Sequence, residues 1–180
     1  MPSTMVTRLR SITGSTATDF SDAEVQDFLT TNSTDYIREL LSPASSDGTT
    51  YDKFGAETGN WEAGAVFRDS ANAIVTTGLT FEVITGIVTA APPRTESILT
   101  VTGRAYDIYG AAAELMETWA NKLSQEYDVS LDGNTYNRSQ KADGLRAAAA
   151  SFRRKSRTRV GTTERADERW VTIEPFLERN

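Results

Sequence analysis

Apolar positions recur at alternating steps of three and four in two stretches of the chain. Ala105, Ile108, Ala112, Leu115, Trp119 and Leu123 form the first series, and Ala142, Leu145, Ala149 and Phe152 form the second. That spacing sets each series along one face of an amphipathic helix. Both faces are rich in alanine, which has the best helix propensity and lets neighbouring helices approach closely. Residues 103–157 are therefore predicted to form a tight antiparallel helical hairpin. Ile108, Leu115, Trp119, Leu145 and Phe152 are its expected core residues.

Upstream, Ser21-Asp22-Ala23-Glu24 is a capping box, in which the Ser21 hydroxyl can accept from the Glu24 amide and start a helix. Val25, Phe28, Leu29, Tyr36, Ile37, Leu40 and Leu41 fit one face if that helix runs to about Leu41, with Thr30 to Thr34 as a weak middle and Pro43 as its end. Residues 1–45 are thus expected to be N-terminal helices. From Ala44 to Asn60 the chain is dominated by Ser, Asp, Gly, Thr and Asn and reads as a long surface loop, with Tyr51 and Phe54 as apolar anchors. Trp61–Phe67, Ala73–Thr77, Leu79–Ala90 and Ile98–Thr102 are rich in Val, Ile, Thr and aromatics, which predicts three or four short antiparallel strands within an insertion spanning 46–102. Residues 158–180 read as an extended tail, in which Trp170 and Phe176 are suited to anchor on another subunit. The predicted class is α+β, mainly α: a single-domain helical bundle with an inserted small antiparallel β-sheet and an extended C-terminal tail.

With 180 residues the chain can bury a core without staples. It contains no cysteine, which removes disulfides and thiolate chemistry, and no histidine, which removes the commonest general base and metal ligand. No apolar run is long enough to cross a bilayer, and Met1 to Arg10 lacks a signal core, so a soluble protein made in a cytoplasm is expected. The net charge of −6 conceals a polarity: residues 1–137 hold 8 Lys and Arg against 19 Asp and Glu, whereas residues 138–180 hold 11 against 6. An acidic body and a basic end can attract one another between copies.

Three groups of residues invite chemistry. Asp128-Val129-Ser130-Leu131-Asp132-Gly133-Asn134 imitates the opening of a calcium loop, but Ser139 stands where the closing bidentate glutamate belongs, so a plain Asp-Gly turn is the better reading. Asp107 and Glu114 lie two turns apart on one predicted helical face, as an acid–base pair would, yet no nucleophile or phosphate-cradling loop accompanies them. The tract Arg153-Arg154-Lys155-Ser156-Arg157-Thr158-Arg159 can grip phosphates, dock on an acidic protein surface, or simply end a helix in solvent. No catalytic, metal or cofactor site is expected.

The run Val101 to Leu115, the run Tyr127 to Gly133, Asn137-Arg138-Ser139-Gln140-Lys141-Ala142 and Phe152-Arg153-Arg154-Lys155 together resemble the head-tail adaptor, or connector, proteins of long-tailed double-stranded DNA bacteriophages. Trp61-Glu62-Ala63-Gly64 and Phe20 to Val25 are similar to the same family, so the likeness covers most of residues 20–157. The resemblance implies a structural virion protein without enzymatic activity. It would form a homo-oligomeric, dodecameric ring in the particle's neck, between the portal protein and a stopper or tail-completion protein, and pass DNA without sequence-specific binding. It also implies that the C-terminal segment reaches the portal or a neighbouring subunit, which makes Arg153, Arg154, Lys155, Arg157, Arg159, Trp170 and Phe176 the expected partner-binding residues. An acidic lining would keep such a channel from holding DNA. Two other readings stay open: another neck or tail-completion component, and a small helical nucleic-acid-binding regulator using the basic tract.

Overall fold

The computed structural model describes residues 4–44, 48–124, 129–131, 134–136 and 138–156. Two helices open the chain, α1 (Thr4–Thr13) and α2 (Asp22–Thr31), and eight strands come after them. These are β1 (Ser33–Leu40), β2 (Ser42–Ala44), β3 (Tyr51–Gly55), β4 (Val66–Asp69), β5 (Ile74–Val75), β6 (Leu79–Glu82), β7 (Ile87–Arg94) and β8 (Leu99–Tyr106). Then come α3 (Ile108–Ser124), the short hairpin of β9 (Val129–Leu131) and β10 (Asn134–Tyr136), and α4 (Arg138–Lys155). The strands form two four-stranded antiparallel sheets, ordered β1-β8-β4-β5 and β2-β3-β7-β6, beside the β9-β10 pair.

This architecture overturns the expected mainly α bundle with a small inserted sheet. The two sheets build a core as large as the helical one, with Leu41, Phe54, Trp61, Phe67, Val88, Leu99 and Val101 drawn from both. Strand pairing begins within the predicted N-terminal helical segment. Asn32 caps α2, and Ser33 to Tyr36 pair residue by residue with Tyr106 back to Gly103. The apolar spacing from Tyr36 to Leu41 also satisfies a helix, but Thr34, Tyr36 and Ile37 favour a pleated backbone once β8 is there to pair with. A bulge between Tyr36 and Glu39, with Arg38 at φ 57, interrupts that ladder. Pro43 does not stop a helix; it sits in the edge strand β2, where no ladder bond is required on its outer side. The expected surface loop 44–60 contributes β3. The first helix of the hairpin begins at Ile108, not Arg104, so Ala105 belongs to β8.

Trp61 shows how the sheet core is keyed. It is fully buried, its indole N–H donates to the Thr58 carbonyl at 2.6 Å, and its ring meets Tyr36 and Phe81. The 58–61 segment is held there by backbone bonds from Asn60 and Trp61 to the carbonyls of Ile84 and Val83. Gly86, at φ 76, makes the approach possible, because a Cβ at that position would lie 2.3 Å from the Thr58 carbonyl oxygen.

The helical core gathers Met5, Val6 and Leu9 of α1, Phe20 just before α2, Val25 and Leu29 of α2, Tyr106, and Ile108, Ala111, Ala112 and Leu115 of α3. Arg10 ties the first two helices together, donating at 2.7 Å to both the Phe20 carbonyl and the Asp22 carboxylate. The capping box at Ser21 forms as predicted, with the Glu24 carboxylate accepting from the Ser21 amide at 2.7 Å. Among the described residues no helix is long and apolar enough to cross a membrane.

Candidate assembly surfaces

Helices α3 and α4 form the predicted antiparallel pair, since the end of α4 lies against the start of α3. Phe152 stacks on Tyr109 with ring centroids 6.3 Å apart, and Arg153 is ion-paired with Glu117. Ser156, just beyond α4, donates to the Asp107 carboxylate. Of the predicted core residues, Ile108 and Leu115 are buried, while Trp119, Leu145 and Phe152 are partly exposed. Trp119 sets its ring edge-on to Phe20, and the Lys141 ammonium lies 5.2 Å from its centre.

Asp107 and Glu114 have structural work in this joint. Asp107 caps α3, accepting from the Gly110 amide at 3.0 Å, and its own amide donates to the Asn32 carbonyl at 2.7 Å. The buried Asn32 side chain donates to the Phe28 carbonyl at 2.9 Å and to the Glu114 carboxylate at 2.7 Å. Gly110 leaves room for this arrangement, as a Cβ there would sit 2.7 Å from the Asn32 side-chain oxygen. Four elements, α2, β1, α3 and the end of α4, therefore meet at one hydrogen-bonded knot, and the two carboxylates hold it.

The basic tract divides. Arg153 is committed to Glu117, the Lys155 ammonium lies 5.8 Å from the Tyr109 ring centre, and Arg154 is exposed. Arg157, Arg159, Trp170 and Phe176 lie outside the described residues. So do Asp128, Asp132 and Gly133 of the calcium-like loop; its flanks pair as a hairpin in which Leu131 opposes Asn134. No group of three or more His, Cys, Asp or Glu able to hold a metal occurs among the described residues.

A surface not predicted lies on the outer face of the β1-β8-β4-β5 sheet. Leu40 opposes Thr100, Thr100 opposes Arg68, and Arg68 opposes Ile74, a single row across all four strands. Thr102 and Val66 form the next row on the same face. Leu40 is 63% exposed, Ile74 55% and Val66 38%, with Ile98 just before β8 at 46%. Their chain neighbours Leu41, Val75, Phe67 and Leu99 point the other way, into the core. The signal was present as four apolar doublets, Leu40-Leu41, Val66-Phe67, Ile74-Val75 and Ile98-Leu99, where a half-solvated strand needs only one apolar residue of each pair. Beyond this patch a shallow hollow is lined by Asp35, Ile37, Glu62, Thr102 and Arg104. The Arg104 guanidinium donates to Asp35 at 2.7 Å and holds that carboxyl below its ordinary range.

A small cavity of about 180 Å3 opens where α1 and α2 meet the sheets, lined by Met5, Gln26, Trp61, Glu62, Val83 and Tyr106. Burial pushes the Tyr106 hydroxyl above its ordinary value, so it stays neutral there beside the Gln26 amide at 3.5 Å. No protein-family model matches this chain, and no curated protein or solved structure does either.

Proposed function

We propose that the protein is a structural subunit of a bacteriophage neck, an adaptor that assembles into a ring between portal and stopper or tail and lets DNA through without reading it. The observation that carries this reading is the form taken by the run bearing the resemblance. Val101 to Lys155 is one continuous unit, from β8 through α3 and the β9-β10 hairpin to α4. The knot at Asp107 and the Arg153–Glu117 pair fix the end of α4 against that unit, so the segment after Ser156 departs from a rigid point. A block whose last described residue is pinned in this way suits a subunit that must contact two different neighbours at once. Heterologous contacts between unlike patches on successive copies close rings, and here the unlike patches are an exposed apolar sheet face and a basic helix end.

The uses found for Asp107 and Glu114 favour a structural role over acid–base chemistry, because both carboxylates are engaged in holding helices together. The nucleic-acid-binding alternative loses Arg153, whose charge is met by Glu117. Purified full-length chain should co-sediment with portal rings, and antibody labelling of intact particles should mark the neck. Failure to bind portal, together with labelling elsewhere or none, would end this reading. Tight DNA binding that falls steeply with salt would put the regulator in its place.

A further inference from the structure

We propose that the outer face of the β1-β8-β4-β5 sheet is a docking site for the protein's own C-terminal segment, Val171 to Leu177, which covers the exposed side chains of Leu40, Val66 and Ile74 in the free chain. The inference concerns the isolated chain and does not rest on the neck assignment. An antiparallel sheet tolerates one solvated face when that face is polar. This one presents Leu40, Val66 and Ile74, with Ile98 at its border, and each is more than a third exposed. Large apolar side chains gathered on one sheet face, around Thr100, Thr102 and Arg68, mark it as a contact surface.

Two things indicate the occupant: the point where the chain leaves the described structure, and the residues that lie beyond it. Ser156 is bonded to Asp107, which directly follows the last residue of β8, so the chain exits at the Tyr106 end of the same strand that runs beneath the patch. From Ser156 to Trp170 an extended chain spans up to about 46 Å, while the eight residues of β8 cover only about 26 Å. The segment therefore reaches the far end of the face with slack. Its pattern also fits a surface that is apolar on one side. Val171, Ile173 and Pro175 alternate with Thr172 and Glu174, and Phe176 and Leu177 close the stretch as an apolar pair.

The absence of native cysteine makes the test direct. In the full chain, Ile74→Cys is combined in turn with Val171→Cys, Ile173→Cys and Leu177→Cys, and each pair is oxidised mildly in dilute solution. Lys53→Cys, an exposed site on the other sheet, replaces Ile74→Cys in the control. At least one pair should form an intramolecular disulfide well above its control. Disulfides only between chains would overturn the proposal by assigning the face to a second copy, and none above control would overturn it outright. As a second readout, Ile74→Asp alters an exposed side chain, so the fold survives. It should speed tryptic cleavage after Arg169 by about tenfold, since cleavage tracks the population in which the segment is released. Unchanged cleavage would refute the docking.

Discussion

Replacing Asn32 by alanine tests whether the knot between the two halves of the molecule carries the stability assigned to it. The side chain is 5% exposed and supplies two hydrogen bonds, one to the Phe28 carbonyl and one to the Glu114 carboxylate. A neutral bond of this kind contributes about 1 kcal/mol and one to a charged group about 1.5–3 kcal/mol, so Asn32→Ala should cost roughly 2–4 kcal/mol. For a chain of this size that corresponds to a fall in melting temperature of roughly 5–15 °C. Urea denaturation followed by circular dichroism gives the free energy directly. Asn32→Asp adds a sign that a simple packing loss lacks. It sets a second carboxylate against Glu114, and two such groups resist sharing ionisation. The folded variant then takes up a proton more readily than the unfolded one, so its deficit relative to the parent should shrink as the pH falls. An Asn32→Ala variant within about 0.5 kcal/mol of the parent, or an Asn32→Asp deficit that ignores pH, would refute the reasoning.

The same geometry sets three further outcomes. Ser21→Ala removes the cap of α2 and should cost about 1 kcal/mol. Bonds from the Ser21 backbone amide and then its hydroxyl hold the Glu24 carboxyl below its ordinary 4.5, a contribution present above this value and lost as pH falls through the folded one; alanine keeps the amide's share, so only the hydroxyl's part of the variant's deficit, read by urea titration, should fade in acid. Trp61→Ala empties the centre of the sheet core and should cost about 3–5 kcal/mol in the same assay. Trp119→Ala should cost less, about half as much, because one side of its ring faces solvent under Lys141. Equal losses at the two tryptophans would contradict the burial difference.

The helical part was legible where the pattern was local. The Ser21 capping box and the 3.6-residue stripes of α3 and α4 depend on residues within a few positions of one another, and they appear, with Ala105 alone of the first stripe left in β8. What failed depended on distant partners. Residues Tyr36 to Leu41 fit a helix as well as a strand, and only the pairing of Ser33 with Tyr106, far along the chain, decides between them. Helix α1 fell within the stretch 1–45 expected to be helical but without bounds of its own, because of its apolar residues only Met5, Val6 and Leu9 are buried, too short a series to stand out among Thr, Arg and Ser. The candidate surfaces were less legible still. Apolar residues on an outer sheet face differ from core residues only by strand parity, and parity has no meaning until the strand and its register are known.

The polarity of charge along the chain also changes meaning once the fold is known. An excess of carboxylates suggests a surface that repels phosphate, but a carboxylate paired with a cation within the fold projects less field than its formal charge implies, whereas one bonded to neutral donors keeps its charge. Asp19 accepts from the Thr16 amide and hydroxyl, Glu24 from Ser21, Asp35 from Arg104, Asp107 from Gly110 and Ser156, and Glu114 from Asn32. The first three are held below their ordinary values by those partners, so they stay ionised in moderate acid and continue to support the fold there. These groups serve the helix caps, turns and sheet edge. On the proposed neck role, a repulsive lining would need carboxylates that no cation offsets as Arg104 offsets Asp35, and the face that carries them would be the one turned toward passing DNA.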